Sequence, residues 1–202
     1  MPQWLVSVQI RQEEATSSDR KLSPFCVSIL ARQTIEMPQY FLYTGSSRIK
    51  YVGAKMNIFQ IKECKKEYLT LLLLSDEQED MIDRYLERGV MFVLDDDGIK
   101  GECVVTDEGD GILEIKNLAV TPEHQRKGYG KALIEYVADR YRGSYLTLQV
   151  GTGDSPLTIP FYEKCGFARH HIVKGFFTDN YDHPIYEGGI QLVDMVYLRR
   201  AL

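Results

Sequence analysis

Three things are scarce in this chain of 202 residues: paired cysteines, long apolar runs and an excess of positive charge. Cys26, Cys64, Cys103 and Cys165 are scattered, and none stands at the short paired spacing that zinc or dithiol chemistry requires. They read as reduced thiols of a cytoplasmic protein. The longest aliphatic run, Leu71 to Leu74, is far too short to span a bilayer. The first residues show neither the basic nor the long apolar segment of a secretory signal. Acidic residues outnumber basic ones by 29 to 24, a formal net charge of −5. That balance disfavours a general nucleic-acid or anionic-membrane binder and suits a cationic partner such as an amine. His170, His171 and His183 have no ligand spacing with one another or with the cysteines, so no metal is expected.

What is present is the composition of an ordinary globular protein, 44% apolar and 26% charged. The length suffices for one domain with a sizeable core and is short for two. Residues 1–55 hold no hydrophobic period for long and read as an extension outside the domain, with Met56 as a candidate true start. From Met56 onward the signals become orderly. A strand over Asn57 to Cys64 leads to Ser75, read as the N-cap of a helix with Met81, Ile82, Tyr85 and Leu86 as its buried stripe, stopped at Gly89 by a C′ glycine. Strands follow at Val90 to Leu94, Lys100 to Thr106 and Ile112 to Val120, with Asp97-Gly98 as a hairpin turn. A helix from Gly128 to Tyr141 then crosses to a parallel strand, Tyr145 to Val150. Ser155-Pro156 opens another helix that ends at Gly166. Strands over Ala168 to Phe177 and Ile190 to Leu198 close the chain.

Gln125-Arg126-Lys127-Gly128-Tyr129-Gly130-Lys131 lies between a strand and a helix. A helix start offers free N–H groups and the positive end of the dipole. Glycine lets a phosphate approach the backbone without meeting a Cβ. Arg126, Lys127 and Lys131 add positive charge in a chain that is acidic overall. The loop is neither a dinucleotide fingerprint, because Leu133 stands where the third glycine belongs, nor a P-loop, because Ala132 follows Gly130-Lys131.

The loop matches the Gln/Arg-x-x-Gly-x-Gly/Ala signature of the GNAT acetyltransferases. Leu113 to Val120 resembles that family's fourth strand, and Phe161-Tyr162-Glu163-Lys164-Cys165-Gly166-Phe167 resembles its second signature, Phe-Tyr-x-x-x-Gly-Phe. The resemblance covers residues 56–202. It implies an α/β fold: a mixed, mostly antiparallel twisted sheet with helices on both faces. It also implies acetyl-CoA as donor. The pyrophosphate would be held by the segment Gln125, Arg126, Lys127, Gly128, Tyr129, Gly130 and Lys131. The pantetheine arm would pair with main-chain groups of Leu118, Ala119 and Val120, with a further contact from Ser155.

Tyr162 stands at the family's general-acid position and Glu114 where several members carry a general base. The implied activity is acetyl transfer to a primary amine, expected to be that of a small molecule, by direct attack in a ternary complex. The alternatives are acetylation of a protein lysine or N-terminus, and a non-catalytic acetyl-CoA sensor. The loop with Tyr181-Asp182-His183 and Tyr186-Glu187 is the expected acceptor contact, and a homodimer is allowed. Two features depart from the family pattern. Asn is common where Ser155 stands, and Pro160 is expected to bend the helix it interrupts.

Overall fold

Alternation of apolar and polar residues lays down the sheet strand by strand. The computed structural model describes residues 56–202, so the reading of residues 1–55 lies outside it. The strand β1 (Asn57–Ile61) pairs antiparallel with β2 (Val90–Asp95), which pairs with β3 (Ile99–Asp107), which pairs with β4 (Ile112–Val120). Asp97 and Gly98 both take positive φ, 55° and 99°, as a tight hairpin turn requires. The helix α3 (Tyr129–Tyr141) carries the chain back so that β5 (Thr147–Gly153) runs parallel to β4. The last strand, β9 (Met195–Ala201), inserts between β5 and β6 (Ala168–Val173), giving the order β1-β2-β3-β4-β5-β9-β6. One parallel pair in an otherwise antiparallel sheet of seven strands is the mixed architecture expected.

Helices cover both faces. On one, Leu133, Ile134, Val137 and Ala138 of α3 share a core with Ile159 and Tyr162 of α4 (Ile159–Lys164) and with Leu113, Ile115, Leu148 and Val150. On the other, α1 (Leu69–Leu72) and α2 (Glu79–Leu86) pack Leu72, Ile82, Tyr85 and Leu86 against Met91, Val93 and Val104. A short α5 (Phe176–Asn180) and a hairpin of β7 (Tyr186–Glu187) and β8 (Ile190–Gln191) fill the segment between β6 and β9.

Several local expectations need correction. The helix after Ser75 begins at Glu79, with Gln78 as N-cap, because Asp76 is buried and bonded to two tyrosines instead of opening the helix. Gly89 has no positive φ. A Cβ there would meet Val104 Cγ1 at 2.6 Å, so this glycine serves close packing. The helix expected from Ser155 starts at Ile159. Ile159 N reaches Ser155 O at 3.3 Å, but Pro160 has no N–H with which to continue that turn. Pro160 is therefore the second residue of α4, where its missing donor costs nothing. The strand expected through Phe177 stops at Val173, and the final strand starts at Met195. Cys103 and Cys165 are buried free thiols, whereas Cys64, expected to be reduced, is disulfide-bonded.

Candidate active site

The site begins as a defect in the sheet. The pairing of β4 with β5 runs from Ile112 opposite Thr147 to Ile115 opposite Val150 and ends there, although both strands continue. Just beyond, Lys116 is an extra residue in β4: Val105 lies opposite Ile115, but Val104 lies opposite Asn117. A bulge of one residue reverses which side chains face which way. Leu113 and Ile115 face α3 before it, and Leu118 faces α3 after it. Asn117 and Ala119 accordingly turn to the α1–α2 face with Glu114.

The main chain beyond the bulge also sorts by parity. Thr121 N donates to Lys100 O at 2.8 Å and Ala119 N to Glu102 Oε1 at 3.0 Å, both toward β3. Leu118 and Val120 therefore present their main-chain groups to the opened side. There Gln125 Nε2 donates to Val120 O at 3.2 Å. Of the three residues expected to pair with the donor, Ala119 turns its amide away from the gap.

At the mouth of the gap stands the cradle. Arg126 has φ 59° and Gly128, the N-cap of α3, has φ 92°. Left-handed residues at a helix start aim successive N–H groups into one concavity. The first helical bond is Ala132 N to Gly128 O, 2.9 Å, so the amides of Gly130 and Lys131 precede the ladder. The space beside Gly128 is open for 4 Å around a built Cβ, whereas at Gly130 a Cβ would press on Phe161 Cζ at 3.2 Å. Arg126, Lys127 and Lys131 are exposed around it. Tyr129 instead braces the cradle, its hydroxyl donating to Asp96 Oδ2 at 2.5 Å. Ser155 is buried, and its Oγ accepts from Leu157 N at 3.0 Å, capping the turn before α4. An open, basic, amide-lined concavity beside a parted strand pair fits the pyrophosphate and pantetheine of acetyl-CoA.

Tyr162 is buried between Phe161 and Phe167, at ring-centroid distances of 5.0 and 5.7 Å. Burial, with smaller contributions from the nearby thiols and acids, holds its hydroxyl well above the usual tyrosine range. It is thus protonated at any working pH and available as a donor. Glu114 lies on the opposite face, buried and fully engaged. Lys116 Nζ donates to Oε1 at 2.7 Å and Gln149 Nε2 to Oε2 at 2.6 Å. Gln149 in turn accepts from Arg199 Nε at 2.6 Å, and Lys116 also meets Glu108 at 3.4 Å. The structure thus places the two expected catalytic residues on opposite faces of the sheet. Sequence reasoning passed over Glu102, Asn117 and Asp76, whose burial on the α1–α2 face no local pattern announces. Among the described residues there is no cluster placed to hold a metal, and no helix is long and apolar enough to cross a membrane.

A sheet parted between its two parallel strands, with an anion cradle at the mouth of the gap, defines a transferase that takes an acyl-CoA donor. Comparison with known proteins gives the family. The "Acetyltransferase (GNAT) domain" matches residues 87–169. The uncharacterized N-acetyltransferase YvbK of Bacillus subtilis is 37% identical over 147 residues, 71% of this chain and 95% of that protein. A GNAT acetyltransferase from Elizabethkingia anophelis, solved with acetyl-CoA bound, superposes with TM-score 0.69 at 34% identity, over 73% of this chain and 98% of its own. A Bacillus subtilis acetyltransferase in complex with CoA gives 0.67 at 36%, over 73% and 99%. The chain belongs to the GNAT acetyltransferase family. It is an acetyl-CoA-dependent N-acetyltransferase.

Proposed function

We propose that the acceptor is a small-molecule primary amine, acetylated by direct attack on bound acetyl-CoA. The observation that carries the small-molecule reading is the strap between β6 and β9. Those strands lie on the β5 side of the gap, yet the strap is fastened to the α2 side. Tyr181 OH donates to Asp76 Oδ1 at 3.0 Å, Asp182 N donates to Gln78 Oε1 at 3.2 Å, and His183 Nε2 stands 3.6 Å from Glu77. At its other end Thr158 Oγ1 donates to Glu187 Oε2 at 3.2 Å. A segment tied on both sides of the gap leaves room for a small acceptor and obstructs an extended peptide. The acidic residues along it suit an ammonium ion.

The overall change converts an ammonium ion and acetyl-CoA into an amide, CoA thiol and one proton. The nitrogen must lose a proton before it attacks the thioester carbon. As the C–S bond breaks, the nitrogen, charged again by the attack, gives up a second proton, and the sulfur takes one, so that one proton is released overall. Tyr162 is the donor for that last step. Burial keeps its hydroxyl protonated, so its O–H is there to hydrogen-bond the departing sulfur as charge develops and to pass it a proton. Glu114 is the carboxylate for the first step. With both oxygens already bonded, it takes the proton through a bound water. Release of CoA thiol in a screen of primary amines tests the reading. Turnover with a lysine peptide and with no small amine would replace it by protein acetylation, and no turnover with either would leave a sensor.

A further inference from the structure

The face of the sheet that carries Glu114 continues across the gap onto β5 and β9. Val196 and Leu198 of β9 point into the core under α3. Met195, Tyr197 and Arg199 therefore stand on the opposite face, where Arg199 meets Gln149. Register sets Tyr197 opposite Gly151 and Met195 opposite Gly153. Gly151 is the first residue of β5 beyond its last pair with β4, so Tyr197 stands beside the opening itself.

Gly151 has no side chain to fill the space above it, and its neighbours lean in. A Cβ built there would lie 3.1 Å from Tyr197 Cε1, 3.2 Å from Tyr197 Cζ and 2.6 Å from Met195 Sδ. The far end of the tyrosine ring, which bears the hydroxyl, therefore reaches over β5. His171 of β6 stacks on one face of that ring, with centroids 4.6 Å apart and planes 6° from parallel. Because β9 lies between β6 and β5, the other face turns toward β5 and the gap. Tyr197 is half-buried, and its hydroxyl bonds to no described residue. Burial, and then the carboxylates of Glu114 and Glu108, push that hydroxyl up to about 12. It thus lies in the field of the carboxylate that serves the acceptor nitrogen. Beyond it the surface is apolar. A Cβ at Gly153 would meet Leu192 Cδ1 at 2.5 Å, and Leu192 joins Phe177 and Ile185 of the strap in a cluster on which Met195 also packs.

We propose that Tyr197 sets acceptor specificity: the carbon skeleton of the amine lies on the wall of Tyr197 and Met195 above Gly151, and the Tyr197 hydroxyl accepts a hydrogen bond from the amine nitrogen beside Glu114. This rests on the small-amine reading above. The wall offers a ring face and a thioether and no charged side chain. A flat aryl group gains most on it, through offset ring and sulfur contacts. The class it takes is an arylalkyl primary amine, ahead of a polyamine whose second ammonium would lie on apolar surface.

The probes are phenethylamine, butylamine and spermidine, assayed by release of CoA thiol. The unaltered protein should have a KM for phenethylamine at least about fivefold below that for either of the others. Tyr197→Phe keeps the ring and loses only the hydroxyl. It should raise the KM of each accepted amine about fivefold, change kcat less than about threefold and leave acetyl-CoA affinity within about twofold. Tyr197→Leu removes the ring as well, and should bring the KM values of phenethylamine and butylamine within about twofold of each other. A merely structural role would lower Tm and acetyl-CoA affinity without changing the order of the amines. If Tyr197→Leu does not fold, Gly151→Ala crowds the same ring and should raise KM for phenethylamine more than for butylamine. A protein that turns over amines but prefers spermidine, or whose Tyr197→Phe variant keeps its amine KM within about twofold, overturns the role of Tyr197 and leaves the small-amine reading standing. A protein that releases CoA thiol with no primary amine overturns that reading, and the role of Tyr197 falls with it.

Discussion

Gln149 donates to Glu114 Oε2 at 2.6 Å across the two parallel strands, and these residues are direct partners one pair before the strands part. The bond is a clasp at the edge of the gap. It is buried and charge-assisted, and Arg199 behind Gln149 fixes the orientation of the amide.

Glu114→Ala should therefore act on stability as well as on rate. It leaves the Gln149 amide N–H without its acceptor and Lys116 with Glu108 alone, at a cost of about 1–3 kcal/mol. Denaturant unfolding measures it. If Glu114 also carries a proton through water, kcat/KM should fall most at low pH, where the amine arrives charged. An unchanged pH profile together with lowered stability would make Glu114 a brace only.

Tyr162→Phe removes one oxygen and keeps both aromatic contacts. Positioned proton donation is worth about 10²–10⁴-fold, and a thiolate leaves readily, so kcat should fall by a factor in the lower half of that range. Calorimetric affinity for acetyl-CoA should not change. A kcat within twofold of the unaltered enzyme returns Tyr162 to a packing role.

Gly128→Glu should lose acetyl-CoA binding by at least about two orders of magnitude, because a carboxylate enters a phosphate cradle. The helix start would tolerate the charge, but the backbone would not tolerate a side chain. At φ 92° a Cβ costs roughly 1–2 kcal/mol. Gly128→Ala separates the two effects. It should lower Tm by a few degrees, with a smaller loss of affinity than the glutamate causes.

Burial raises the Glu102 carboxyl from its ordinary 4.5 to about 8, opposed in part by the Ala119 amide. Between those values the unfolded chain has lost this proton and the folded chain retains it. Stability from this group is therefore full below about pH 4.5 and declines as pH rises toward 8, by up to about 1.4 kcal/mol per unit. Glu102→Gln lacks that slope. Its stability relative to the unaltered protein should climb from pH 5 to pH 8 in urea titrations. Parallel curves would mean that Glu102 ionises inside the fold as it does outside.

A chain beginning at Met56 contains every residue placed in the fold and site above. It should fold and keep its acetyl-CoA affinity, and loss of either would show that residues 1–55 contribute to the domain.

The cradle was legible because its signal is local. Glycines at a strand-to-helix junction, flanked by basic residues, mark a tight turn into a helix whatever surrounds them, and Gly128 is the N-cap of α3 at φ 92° while Gly130 lies in its first turn. The Asp97-Gly98 turn and the stripe of α3 were legible for the same reason. Ser75 and Ser155 misled because capping depends on where the preceding chain packs. Buried Asp76 and the donor-less Pro160 shifted both helix starts by several residues.

The sequence by itself determined the order of the main strands and helices and the glycine turn that opens α3, since each depends on residues close along the chain; α1, α5 and the β7–β8 hairpin left no such mark. Only the tertiary structure decided which groups meet. The bulge at Lys116 leaves no mark in the alternation of Leu113 to Val120, because it arises from pairing with a strand about ten residues earlier. That one extra residue turns Asn117 and Ala119 to the face of Glu114 and brings Asn117 to Tyr85 and Leu72. A strand's own pattern records which residues alternate; its partner's register decides toward what.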